Sequence, residues 1–172
     1  MSDDIAATRA ILVDSFDRIR ELVVDLTDGL TVQTATYRPD PAANSIAWLV
    51  WHLTRIQDDH IAGLAQTDQV WPGWRERIAV PFDDQDTGYG HDAEDVDAVR
   101  VSGEPLAGYH AEVDAMTRRY LARLDAAELA RVVDTHWDPP VTVSVRLVSV
   151  IGDALQHLGQ AGYVRGLAER AH

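Results

Sequence analysis

No cysteine and no lysine occur in the 172 residues, and all 15 basic side chains are arginines. Without cysteine there is no disulfide, no thiolate metal ligand and no cysteine nucleophile, so any thiol chemistry needs a thiol carried in by a second molecule. Positive charge is scarce as well: 15 basic against 28 acidic residues leaves a net charge of −13. That excess opposes nucleic acid phosphates and anionic membrane surfaces, both of which require clustered cations. No apolar run approaches the roughly 20 residues that span a bilayer. The start, Met1-Ser-Asp-Asp-Ile5, lacks the basic-then-apolar layout of a secretory leader, so a cytoplasmic location is expected.

What the chain does have is helix signal. A composition of 46% hydrophobic and 25% charged residues suits one soluble domain over residues 1–172. From about Asp3 to Leu26, the apolar positions Ile5, Leu12, Phe16, Ile19, Leu22, Val23 and Leu26 follow a 3.6-residue period and predict a long helix ending near Gly29. Thr31 to Asn44 reads as a loop, with Asn44 or Ser45 placed to cap a second helix over about Ser45 to Leu64. Trp71 to Gly90 is rich in Pro, Gly and Asp and disfavours regular structure. A short helix opens at His91 or Asp92, and a third long one runs from about Pro105 to Leu124, with Leu106, Tyr109, Val113, Met116, Tyr120 and Leu124 on one stripe.

Asp125-Ala-Ala-Glu128 has the spacing of a capping box for one more short helix, to about Val132. Val141 to Val145 alternates like a strand, but no partner strand is evident, so it is expected to be an extended lead into a last helix from about Ser144 to Arg170. Four long helices joined by unequal connections make an all-α four-helix bundle, and such bundles build metal sites from facing helices.

The chemistry concentrates in two of these helices. Asp153 and His157 stand one turn apart and project from one face, a two-ligand clip for a divalent ion. His52, within the amphipathic run Ile46 to His60, is the best third ligand. Two imidazoles and one carboxylate leave open positions on the ion for water or substrate, the arrangement of a catalytic rather than a structural site. Apolar Val148, Ile151, Leu155 and Leu158 around the clip suggest that the last helix is well buried, and an unpaired buried Asp153 would be costly, so it needs a partner. Asp59 and Gln160 are candidate acceptors that could orient the ligand imidazoles.

His60 sits about 80° around the helix from His52 and is better placed for a solvated or capping role. His91, His110, His136 and His172 read most simply as loop or surface histidines, and Asp83 to Asp86 as a solvated acidic turn lacking calcium-loop spacing. Trp48, Trp51, Trp71, Trp74 and Trp137 are core fillers in the first instance. Trp71 and Trp74 could instead wall an apolar substrate pocket if their loop folds over the bundle end. Arg146 and Arg165 are the local sites where an otherwise acidic surface could hold an anion.

Trp48-Leu-Val-Trp-His52-Leu in the second helix, followed by Asp153-x-x-x-His157-x-Gly-Gln160 in the last, resembles the DinB-like superfamily of four-helix metalloproteins, over most of the chain. This superfamily includes the mycothiol-dependent maleylpyruvate isomerase type and related thiol S-transferases. The resemblance implies a metal on His52, Asp153 and His157, zinc in the first instance with nickel, manganese or iron as alternatives. It also implies a low-molecular-weight thiol such as mycothiol as co-substrate and a small electrophile as its target. Isomerase-type members carry substrate-handling residues in an additional C-terminal domain, and the sequence closes at His172, so thiol transfer is expected rather than isomerisation.

Two function classes follow. One is a metal-dependent thiol transferase with no protein nucleophile. The other is a non-catalytic, stress-related bundle that binds metal for stability or keeps the same residues as a polar network. An iron oxygenase fits the ligand count but is usually built on other folds. A Trp-rich apolar helix face would suit a homodimer.

Overall fold

The computed structural model describes residues 2–171 and is an all-α four-helix bundle with one small hairpin; Met1 and His172 lie outside the described residues. The four long helices are α1 (Ser2–Thr27), α3 (Ile46–Ala65), α6 (Gly103–Leu121) and α8 (Val143–Ala171). Helix α3 packs on α8 and α6, and α1 packs on the same two, which closes the four into a ring. Leu12, Phe16, Ile19, Val23 and Leu26 form the buried stripe of α1, while Leu22 of the predicted stripe is 45% exposed and Ile5 only partly buried. The predicted stripe of α6 is buried in full, with Leu124 just beyond the helix end. Ser45 caps α3, its hydroxyl accepting the Trp48 N–H at 3.2 Å. Among the described residues, no helix is long and apolar enough to cross a membrane.

The connections hold more structure than their composition suggests. The stretch after α1 contains a one-turn helix, α2 (Val32–Ala35), capped by Thr31. The Pro- and Gly-rich stretch contains a 3₁₀ turn, Trp71–Gly73, and a second one-turn helix, α4 (Arg75–Ile78). Trp71 is fully buried and Trp74 nearly so, and both rings pack near Tyr109 of α6, so they belong to the core and do not wall a pocket. Helix α5 (Ala93–Ala98) carries a complete capping box between Asp92 and Asp95.

At α7 (Ala126–Ala130) only half of the expected box forms. Asp125 accepts the Glu128 N–H, but the Glu128 carboxylate is taken by the Tyr120 hydroxyl and the Arg131 guanidinium. The extended lead into α8 does have a partner: β2 (Val141–Thr142) pairs antiparallel with β1 (Val132–Asp134). A short pairing of this kind leaves almost no alternation to detect in the sequence.

Helix α8 is less buried than its apolar content suggests. Val143, Leu147, Val150, Ala154, Leu158, Ala161, Val164 and Ala168 face the core, whereas Val148 and Leu155 face solvent, at 66% and 41% exposure. The polar clip of Asp153 and His157 therefore lies at the edge of the buried face, open to water on one side.

Candidate functional site

His52 lies on α3 and Asp153 and His157 lie on α8, and the contact between these two helices brings the three together. One donor atom from each lies within 4.8 Å of the other two. His52 is 6% exposed, while the side chains of His157 and Asp153 are 18% and 31% exposed. Two turns further along α3, His60 meets Arg146, which lies two turns earlier on α8, so the helices run antiparallel.

Each imidazole has one nitrogen engaged away from the cluster. The Nδ1–H of His52 donates to the Thr87 carbonyl at 2.5 Å, which leaves Nε2 as an acceptor lone pair. Nδ1 of His157 faces Gln160 Oε1 at 3.4 Å, and its Nε2 faces Asp153 Oδ1 at 3.4 Å. The other carboxylate oxygen, Asp153 Oδ2, is buried without a hydrogen-bond partner. Burial holds the His52 pKa below its ordinary value, and the neighbouring His157 acts in the same direction. His157 is pushed the other way, chiefly by its bond to Asp153. A neutral imidazole at His52 beside a carboxylate with one free oxygen is a donor set that fits a divalent cation.

Trp48, one turn before His52 on α3, stacks on the His52 ring with centroids 4.7 Å apart and planes 8° apart, and meets His157 edge-on. The indole covers one side of the cluster and restricts rotation of His52. Gln160 acts as the expected acceptor for His157. Asp59 does not serve His52: its carboxylate accepts from Gln69 and sits beside His60, 3.4 Å from Nδ1. The backbone of Thr87 takes the place foreseen for it, and a carbonyl carries no side-chain signal in a sequence.

Among the remaining histidines, His136 is exposed, as expected. His91 lies in a loop, as expected, but is partly buried, and His110 is not a surface residue. The His91 side chain is only 8% exposed, stacks on Trp51, accepts the Trp48 indole N–H at 3.1 Å and donates to Asp86 at 3.0 Å. His110 is 1% exposed inside α6, because its spacing places it on the core face beside Tyr109. His172 lies outside the described residues. His60 is half-buried between Asp59 and Arg146, and burial lowers its pKa. Arg165 is spent on the carbonyls of Asp25, Leu26 and Asp28, and Arg146 on Asp134 and His60, so neither guanidinium stands ready for an anion.

Arg55, Asp58 and Asp114 are buried charged residues that had no place in the sequence reading. Arg55 and Asp58 are both fully buried. With Trp48, Trp51 and His52 they continue one helical stripe at three- and four-residue spacing, which is the signal that could have found them.

No curated protein sequence is similar enough to this chain to count as a relative. Among solved structures, the crystal structure of a conserved protein from Enterococcus faecalis is 35% identical over 92% of this chain and 95% of that one, with a TM-score of 0.85. The sequence pattern of the mycothiol S-transferases matches residues 11–169, a stretch that contains His52, Asp153 and His157, and the chain belongs to the mycothiol S-transferase family.

Proposed function

We propose that this protein is a divalent-metal-dependent thiol S-transferase that joins a low-molecular-weight thiol, of the mycothiol kind, to a small electrophile. The observation that carries the reading is the convergence of His52, Asp153 and His157, with Asp153 Oδ2 buried and unpartnered. A desolvated carboxylate oxygen with no donor is costly, and a cation supplies the missing partner. Zinc is the first choice for two imidazoles and one carboxylate, and nickel, manganese or iron would fit the same donors.

When bound, the ion would supply Lewis acidity that keeps a coordinated thiol in its thiolate form near neutral pH. The protein's own contribution is to hold and shape. His52 and His157 would ligate through Nε2, because Nδ1 of each faces an oxygen elsewhere. Asp153 would contribute a negative charge, balancing part of the charge on the ion. Trp48 would exclude water from one side, and the exposed edge of α8 would leave the other side open to both substrates. With no cysteine in the chain, the attacking sulfur belongs to the co-substrate.

The test is metal content and turnover together, on untagged protein purified without chelator. The expected result is about one equivalent of divalent metal, as in one-site metalloenzymes, lost in Asp153→Ala and His157→Ala. Thiol consumption with a panel of electrophiles should be lost in parallel. Metal without thiol turnover would leave a non-catalytic metal-binding bundle. No metal after reconstitution with zinc, nickel, manganese or iron(II) would overturn the reading.

A further inference from the structure

The loop that orients His52 is irregular, yet it is fastened at several points from beneath. Arg55, one turn beyond His52 on α3, is fully buried and directs its guanidinium into this loop: Nε donates to the Asp86 carbonyl and Nη2 to the Asp84 carbonyl, both at 3.0 Å. Its Nη1 donates to Gln69 Oε1 at 2.9 Å and to the Tyr109 hydroxyl at 3.3 Å. Asp58 balances the charge at 3.5 Å and accepts the N–H groups of Val70 and Trp71 and the Tyr109 hydroxyl.

From the other side, the Asp86 carboxylate accepts the Gly88 N–H at 2.7 Å and the His91 Nε2–H at 3.0 Å, and His91 accepts the indole N–H of Trp48. Thr87, whose carbonyl receives the His52 Nδ1–H, lies between these anchors.

We propose that Arg55 and Asp86 are positioning residues for the metal ligand His52. Arg55 holds the backbone on one side of Thr87. Asp86 fixes both the turn at Gly88 and, through His91, the indole that stacks on His52. Together they set the tautomer and orientation of His52 before any metal arrives. Holding an irregular loop in one conformation costs backbone entropy at every residue, and a buried guanidinium spread over two carbonyls is a strong means of opposing that cost. A residue that orients a metal-bound imidazole in this indirect way typically changes metal affinity about ten- to a hundredfold. The inference rests on the ligand assignment proposed above and extends it to residues that touch no metal.

The test uses cobalt(II) alone as the probe, titrated into the metal-free full chain and followed by its visible ligand-field bands, with hydrogen exchange of residues 84–91 measured in parallel. Arg55→Gln and Asp86→Ala are expected to bind cobalt about ten- to a hundredfold more weakly. In both, exchange in residues 84–91 should become faster in the metal-free protein and slow again on metal binding. In the native protein, exchange there should change little on binding.

Asp86→Asn keeps an oxygen 2.7 Å from the Gly88 nitrogen and 3.0 Å from His91 Nε2 but replaces the second oxygen that faces Nε2, also at 3.0 Å, with an amide N–H, so it should weaken cobalt binding less than Asp86→Ala does. Arg165→Gln frees three carbonyls at the end of α1, a similar pinning arginine away from the site, and should bind cobalt as the native chain does. If Arg55→Gln does not fold, Asp86→Ala and its Asn counterpart decide the matter alone. Folded variants with native cobalt affinity would overturn the positioning role. A native chain that takes up no cobalt, or takes it up equally in His157→Ala, would instead overturn the ligand assignment, and the positioning role with it.

Discussion

His52 donates its Nδ1–H across 2.5 Å to the carbonyl of Thr87, 35 positions further along the chain. The bond forms only because Gly88 follows Thr87. Gly88 has φ +90°, and a Cβ there would stand 2.8 Å from His52 Nδ1 and 3.0 Å from the Trp51 ring. The backbone passes so close to the imidazole that only glycine fits.

Gly88→Ala should therefore disturb the site more than the fold. Strain at a positive φ costs about 1 kcal/mol or more, and the displaced His52 ring should lower zinc affinity about tenfold or more. Competition against a chromophoric chelator measures this directly. Native zinc affinity in a folded Gly88→Ala protein would mean that His52 does not depend on this approach.

His52→Ala should abolish metal retention, whereas His60→Ala should leave it largely intact. Both residues lie on α3, but His60 lies two turns away between Asp59 and Arg146. Elemental analysis of the two variants beside the native protein checks the distinction. Equal metal loss in both would point to a different ligand set.

Asp58→Ala should be strongly destabilising, because it leaves the fully buried Arg55 without its carboxylate. Removing one partner of a buried ion pair costs about 3–5 kcal/mol. Asp59→Ala, one residue on, removes a half-exposed group paired with Gln69 and His60 and should cost less than about 1 kcal/mol. Urea unfolding of the two variants gives the comparison, and similar costs would contradict the buried network.

Stability should fall in mild acid because of His110. Burial lowers its pKa from 6.5 to about 4 in the folded chain, with the Arg20 charge acting in the same direction. Between these two values the unfolded state binds more protons than the folded one. The contribution is thus complete above pH 6.5 and is lost as pH falls towards 4. Between about pH 7.5 and about pH 5 the native protein should lose on the order of 2 kcal/mol from this group. His110→Leu should show a flatter profile over the same range in urea midpoints. Equal slopes would mean that His110 is not the group responsible.

The four long helices and the clip were legible in the sequence because their signals are local and periodic. The stripe Leu12, Phe16, Ile19, Val23 and Leu26 repeats with the helix, and Asp153 and His157 share a face through their four-residue spacing. Likewise, His52 stood out as a polar residue in an apolar amphipathic run. The one-turn helices at Val32–Ala35 and Arg75–Ile78 and the pairing of Val132–Asp134 with Val141–Thr142 were not legible, because segments that short carry too few residues to express a period.

By itself, then, the sequence determined the four long helices, the absence of any thiol in the chain and the placing of His52, Asp153 and His157 on two of those helices. Tertiary packing alone decided how far each histidine is buried, fully for His110 and partly for His91, and turned Trp71 and Trp74 from candidate pocket walls into core. It also decided that the acceptor for His52 is a backbone carbonyl and not Asp59. The physical reason is common to these cases. Burial and hydrogen-bond partners are set by residues tens of positions away, and a carbonyl is present at every residue, so its role depends on where the chain folds and not on which side chain it bears.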